Sequence, residues 1–266
     1  MYGEVIRTET LTPTLVRVVL GGDGLADYEH VPHTDAYVNL ALPPAGASYQ
    51  APFDPVDVRD RLAPNEWPVR RRYTVRDWDA ASRELTIDFV VHGDLGTAGP
   101  WALGARPGDL LVFTGPSGDY SPDPAADWHL MIGDEAALPA IAASAAVVPA
   151  EVPLVVRLVC DGPGHELPIA TDALLDLVWL HRTGEDDDAD LLVDAVRDLP
   201  FLRGRVHAFV HGEAGEIRGV RRHLLAERRV PRADVSVSAY WRRFMTDEAW
   251  RQVKAAFNAE MDADVA

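Results

Sequence analysis

The sequence predicts two domains, an N-terminal antiparallel β-barrel followed by an α/β domain with a parallel sheet. Three observations predict this. Residues 1–120 give about six short extended segments with many turns and little helix. After Ser121-Pro122-Asp123-Pro124 the pattern switches to strands alternating with helices. Finally, 154–160 is a continuous apolar run, as in a strand covered on both faces. The expected boundaries are 1–124 and 125–266.

The barrel strands follow in order. Residues 4–20 read as two extended pieces, the second rich in β-branched residues and closed by Gly21-Gly22-Asp23-Gly24. Tyr37–Leu42 is the next strand, and the proline-rich 43–69 reads as a long loop. Residues 71–78 form a strand after a cationic cluster. In 84–91, Leu85, Ile87, Phe89 and Val91 share one face, which is the clearest half-buried strand in the chain. A short helix is expected near Pro100, with first-turn amides able to receive a phosphate. Residues 108–118 then read as turn, strand and turn. In the second domain, strands are expected at 129–132, 154–160, 177–181, 205–211 and 234–240. Helices are expected from 133–141 onward and at 189–198, 214–228 and 246–261. The acidic run Glu185-Asp186-Asp187-Asp188 reads as a solvated loop.

Composition bounds the function. A net charge of -17 repels nucleic acid and anionic membranes. Lys254 is the only lysine, which excludes a lysine-dependent phosphate loop or Schiff base elsewhere. Cys160, the single cysteine, cannot build a disulfide, an iron–sulfur site or a structural zinc site, and reads as a small core residue. No metal site is expected. Residues 1–20 lack the pattern of a signal peptide, and no apolar run reaches a membrane span, so a cytoplasmic location is expected.

The chemistry centres on Arg71-x-Tyr73-Thr74. On a strand, Arg71 and Tyr73 point one way and Thr74 the other. This offers a guanidinium fork for phosphate, an aromatic face for a flat ring and a hydroxyl for a ring nitrogen. The same residues also fit an ordinary edge strand. No G-x-G-x-x-G follows the strand at 132, so the usual dinucleotide fingerprint is absent. Asp134 and Glu135, after that strand, suit either a ligand contact or the acidic first turn of a helix.

Several segments then coincide: Val16-Arg17-Val18 with Gly21-Gly22-Asp23-Gly24-Leu25, Arg71-Arg72-Tyr73-Thr74-Val75-Arg76, Phe89-Val90-Val91-His92-Gly93, Gly96-x-Ala98-Gly99-Pro100-Trp101-Ala102, Pro107-Gly108-Asp109 with Gly115-Pro116-Ser117-Gly118, Gly133-Asp134-Glu135-Ala136-Ala137-Leu138-Pro139-Ala140-Ile141, and Ala239-Tyr240-Trp241-Arg242-Arg243. In this order the chain resembles the siderophore-interacting protein family, flavin-dependent ferric-siderophore reductases of the ferredoxin–NADP reductase superfamily. The resemblance implies an FAD-binding barrel, an NAD(P)H-binding-type second domain and FAD in the crevice between them. It assigns Arg71, Tyr73, Thr74 and Val75 to the flavin and its phosphates, with Tyr73 and Thr74 nearest the chemistry. His92 and Gly93, with Ala98, Gly99 and Trp101, complete that site. Asp134, Ala137 and Leu138 belong near the adenine end. Arg182, His211, Glu213 and Trp241 are candidate contacts for NAD(P)H, although Arg182 also fits a strand end and Trp241 core or interdomain packing.

Three departures stand out. Ala136 replaces a family threonine. Ala239 and Phe244 replace glycines of the family's G-Y-W-R-R-G, so an altered local backbone is expected there. Lysines that some relatives offer to an anionic siderophore are missing. The implied reaction passes electrons from NAD(P)H or ferredoxin through FAD to a ferric siderophore, releasing Fe(II), by a protein expected to act as a monomer. The alternatives are a flavin oxidoreductase for another acceptor and a non-catalytic siderophore- or nucleotide-binding protein.

Overall fold

Antiparallel pairing closes the first six strands into a barrel. The computed structural model describes residues 1–93 and 96–265, and for 186 and 187 the backbone alone. The chain forms two compact units, Met1–Ser121 and Pro122–Ala266. The first contains β1 (Tyr2–Thr12), β2 (Leu15–Gly21), β3 (Tyr37–Leu42), α1 (Pro55–Arg61), β4 (Val69–Asp79), β5 (Glu84–Val90), α2 (Ala98–Gly104) and β6 (Leu110–Ser117). The strands close in the order β1-β2-β5-β4-β3-β6, with antiparallel neighbours. This is the predicted antiparallel barrel.

Val18, Leu20, Val38, Leu40, Leu85, Ile87, Phe89 and Phe113 fill its interior. Each such side chain, fully buried, contributes about 1.5–3 kcal/mol. The predicted loop at 43–69 is corrected by α1. Asp54 caps it by accepting from Val56 N at 2.8 Å, and Pro55 sits in its first turn. A 3-10 turn at Pro64–Glu66 follows.

The second unit contains β7 (Trp128–Asp134), α3 (Leu138–Ala145), β8 (Pro153–Cys160), β9 (Leu174–His181), α4 (Leu191–Arg197), β10 (Val206–Glu213), α5 (Ala214–Arg222), β11 (Val235–Trp241) and α6 (Asp247–Ala263). Its sheet runs β11-β10-β7-β8-β9, parallel throughout, as predicted. Trp128, Leu130 and Ile132 of β7 meet α4, α5 and α6 in one core. In α6 the contacts come from Trp250, Phe257 and Met261, spaced as one helical face requires. Helix α3 also packs on β7. Cys160, at the end of the inner strand β8, is completely buried, as a small core residue should be.

The predicted helix at 214–228 ends earlier, at Arg222, and continues as a π-helical turn through Glu227. The acidic run is no plain solvated loop. It leads into a 3-10 turn at Asp186–Asp190 in which Asp188 is buried. Asp188 accepts from the amides of Thr183 and Gly184, both at 2.8 Å, and these bonds lower its pKa. Among the described residues, no helix is long and apolar enough to cross a membrane.

Candidate functional site

In the barrel unit the candidate residues centre on the motif strand β4. Arg71 lies opposite Leu40 and Tyr73 opposite Val38, two residues of the barrel interior, whereas Thr74 lies opposite Tyr37. The face assignment made from alternation therefore holds. A bulge at Arg76 then breaks the period, because Val75 pairs with Ile87 and Asp77 with Thr86. The bulge follows directly on Thr74 and Val75, two consecutive buried residues.

Tyr73 is fixed by packing, with its ring 4.4 Å from that of Phe89, itself 5.7 Å from Trp101. Trp101 is carried by α2, so two of the predicted residues, Tyr73 on β4 and Trp101, join Phe89 of β5 in one aromatic cluster. Arg71 is half-buried and donates to the carbonyl of Arg70 at 2.9 Å. Arg72 lies over the ring of Tyr37 at 5.0 Å. Thr74 is only 8% exposed, and its hydroxyl has no partner among the described residues.

The remaining barrel candidates divide. Val75 points into the core and its N–H is taken by Ala36 O at 2.7 Å, so only its carbonyl is left to offer. His92 and Gly93 are exposed, and Gly93 has a φ of 57° that favours glycine. Ala98 and Gly99 are buried in the first turn of α2, whose cap, Thr97, makes no side-chain hydrogen bond to it. Together these residues fit FAD: guanidinium and amide donors suit a pyrophosphate, the Tyr73 ring suits a flat heterocycle, and the Thr74 hydroxyl on the other face of β4 offers a hydrogen bond.

In the α/β unit the candidates gather at the carboxyl ends of the strands, where parallel sheets bind ligands. Here they are held by partners within the unit. Asp134, at the end of β7, is completely buried. One carboxylate oxygen accepts from Ala136 N at 2.9 Å and Ala137 N at 3.2 Å. The other accepts from Glu213 N at 2.9 Å and Trp241 Nε1 at 2.7 Å. Gly212, with a φ of 147°, makes room for it, since a Cβ there would come within 2.9 Å of Asp134 Oδ2. Burial, then Glu135, push the Asp134 carboxyl up to about 6, against Arg182 and the Trp241 N–H. Ala137 and Leu138 are buried beside it.

Arg182 is gripped by Glu135 at 2.7 and 2.9 Å and by Asp161 at 2.9 Å. Burial opposes its charge, but these partners raise its pKa. Glu213 caps α5 through Gly215 N at 2.6 Å and Glu216 N at 3.0 Å, and it accepts from Arg243 N at 3.0 Å. His211 is buried between Tyr240 Oη at 3.0 Å and Ser236 Oγ at 2.9 Å, stacked on Phe209. Burial, then Lys254, hold its pKa down to about 3, so the imidazole is neutral.

Sequence reasoning missed Glu216 and Arg243. Glu216 is fully buried, bonded to the guanidinium of Arg243, and left with Oε2 unpaired. Burial, then Asp134, push its carboxyl up to about 8 despite Arg182 and Arg243. The signal was present as Glu213-x-x-Glu216 at a helix start, an acid three residues after a cap. Of the two replaced glycines, Ala239 is an ordinary buried strand residue. Phe244 does not abandon the conformation that glycine favours. Its φ is 62°, in the left-handed region.

This arrangement was compared with known proteins. Residues 4–120 match the siderophore-interacting FAD-binding domain, and residues 126–244 match the siderophore-interacting protein model. Ferric vibriobactin reductase ViuB of Vibrio cholerae is 33% identical over 94% of this chain and 92% of its own length. The chain belongs to the siderophore-interacting protein family. The resemblance read from the sequence is thereby borne out. The crystal structure of the siderophore-interacting protein SipS from Aeromonas hydrophila superposes with a TM-score of 0.81. It is 30% identical, with 98% of each chain covered. A more distant relative is the NADPH-dependent ferric-chelate reductase of Escherichia coli, 28% identical over 89% of this chain and 91% of that protein.

Proposed function

We propose that this siderophore-interacting protein is an FAD-dependent ferric-siderophore reductase using NAD(P)H as donor. The observation that carries the reading is the motif strand itself, where Arg71 and Tyr73 share one face of β4 and the hydroxyl of Thr74, bonded to nothing described, stands on the other. The names of the Vibrio and Escherichia relatives support the ferric substrate, and the latter supports NADPH.

In the balanced reaction, NAD(P)H gives up a hydride's two electrons, two Fe(III) centres each gain one, and one proton is released. Flavin, when bound, supplies the conversion from a two-electron donor to one-electron delivery. The protein's own residues hold and orient. Arg71 would hold the pyrophosphate by charge-assisted hydrogen bonds. Tyr73, immobilised by Phe89, would fix the plane of the ring system. The Thr74 hydroxyl would set that ring's hydrogen-bonding environment. No side chain need act as a nucleophile or general acid. Reduction frees the metal because the oxygen donors of siderophores hold the harder Fe(III) more strongly than Fe(II).

An anaerobic absorption titration tests the reading. Oxidised-flavin bands should bleach on adding NADPH or NADH and return on adding a ferric siderophore. Bleaching by dithionite but by neither nucleotide would move the donor to ferredoxin or another protein. Absence of flavin after reconstitution with FAD would overturn the proposal.

A further inference from the structure

Phe244 stands out as a residue its own fold disfavours twice. Its backbone lies at a φ of 62°, where a bulky side chain is strained and glycine is at ease. Its ring is fully exposed, with a relative accessibility of 105%. The strain is imposed from both sides. On one side Arg243 is pinned through its N–H to Glu213 and through its guanidinium to Glu216 and to Asp188 O. On the other, Met245 N bonds Arg242 O at 3.2 Å, and the Thr246 hydroxyl caps α6 by accepting from Ala249 N at 3.2 Å. Strain that returns no packing inside the molecule points to a role outside it.

The position favours a ligand. Phe244 follows β11 by three residues, at the carboxyl edge of the parallel sheet. Its neighbour Met245 is also exposed, at 41%, so the two make a small apolar prominence. The adjoining cations do not project as phosphate receptors. Arg243 is committed to Glu216, and the Arg242 guanidinium lies 5.4 Å from the ring centre of Phe257. The prominence therefore suits a flat apolar surface better than a nucleotide's phosphates.

We propose that Phe244 contacts substrate, stacking on an aromatic metal-binding arm of the ferric chelate and favouring such chelates over aliphatic ones. This rests on the ferric-siderophore reading above. Phenylalanine here trades fold stability for a contact that glycine cannot make.

The test uses the full-length protein with redox-inert gallium(III) complexes, one of a tris-catecholate and one of an aliphatic tris-hydroxamate. Binding is followed by calorimetry, and reduction of the matching ferric complexes is followed separately. Phe244→Gly should raise the melting temperature by about 2 °C or more. It should weaken tris-catecholate binding roughly three- to tenfold, with tris-hydroxamate binding unchanged. Phe244→Tyr should restore catecholate affinity. The exchanges are charge-neutral, so the ratio between variants isolates the ring. Equal losses for both complexes, no loss for either, or no binding of either by the parent protein would overturn the contact. So would a defect confined to reduction by a protein electron donor, which would place Phe244 in a docking face instead. Gallium binding that responds to Phe244→Gly, in a protein that reduces no ferric chelate, would keep the contact and remove the reductase reading.

Discussion

The candidate residues of the barrel unit and those of the α/β unit use their polar groups in opposite ways. On the barrel, Thr74 is a mostly buried residue whose hydroxyl bonds nothing described and stays open to solvent. In the α/β unit, Asp134 has four donors, Arg182 two acidic partners, Glu213 three amides and His211 two hydroxyls. The barrel threonine leaves its hydroxyl to solvent, whereas the α/β groups are mostly held by internal partners, with Arg182 Nε and Glu216 Oε2 the buried exceptions. Substitution should therefore cost mainly activity in the first and mainly stability in the second.

The sharpest challenge to that contrast is Asp134→Ala. It takes the carboxylate acceptor from the Ala136 and Glu213 amides and the Trp241 N–H, while Ala137 N keeps the residue-134 carbonyl, and should lower the unfolding free energy by about 3–5 kcal/mol in urea titrations. A loss below about 1 kcal/mol would show that the network does not hold the edge together. On the barrel, Arg71→Ala should raise the FAD dissociation constant roughly 10- to 100-fold, with a melting temperature close to the parent's. If instead the protein unfolds and its flavin affinity survives, the contrast is inverted.

A pH series probes the α/β region next. The folded-state pKa of Glu216, about 8, lies above its ordinary value of 4.5. The native state therefore holds a proton that the unfolded chain has released. Its contribution to stability is complete below about pH 4.5 and is lost as pH rises towards about 8, at on the order of 1 kcal/mol per pH unit. Glu216→Gln keeps an acceptor for Arg243 and should flatten that slope. An unchanged slope would assign the pH dependence to another group. The smallest effect belongs to Thr74→Val, which keeps the shape and removes the hydroxyl. Ferric reduction should fall about tenfold while stability moves by less than about 1 kcal/mol.

Legibility followed the same division. The barrel was readable because period-two alternation in 84–91 and the Arg71-Tyr73-Thr74 spacing fix faces locally. The parallel sheet was readable from alternating strands and helices. Helix α1 was overlooked although Asp54-Pro55 is a start signal, because the surrounding prolines weighed against any helix. Asp188 looks solvated in the sequence because its partners are loop amides, which no side-chain pattern displays. The edge network was illegible for a different reason. Trp241 and Asp134 are 107 residues apart and meet only through the register of β7, β10 and β11. The sequence motif marked Asp134 as special without revealing that both its oxygens face inward.

Cys160 carries a practical consequence. It is the chain's single thiol, it is sealed within the α/β unit, and burial, its largest influence, raises its pKa. A thiol reagent can therefore react only during transient opening of that unit. The modification rate becomes a clock for how often the sheet breathes, read from one atom in the native protein. Run with and without pyridine nucleotide, the same clock would tell whether the donor tightens the α/β unit, with no flavin signal needed.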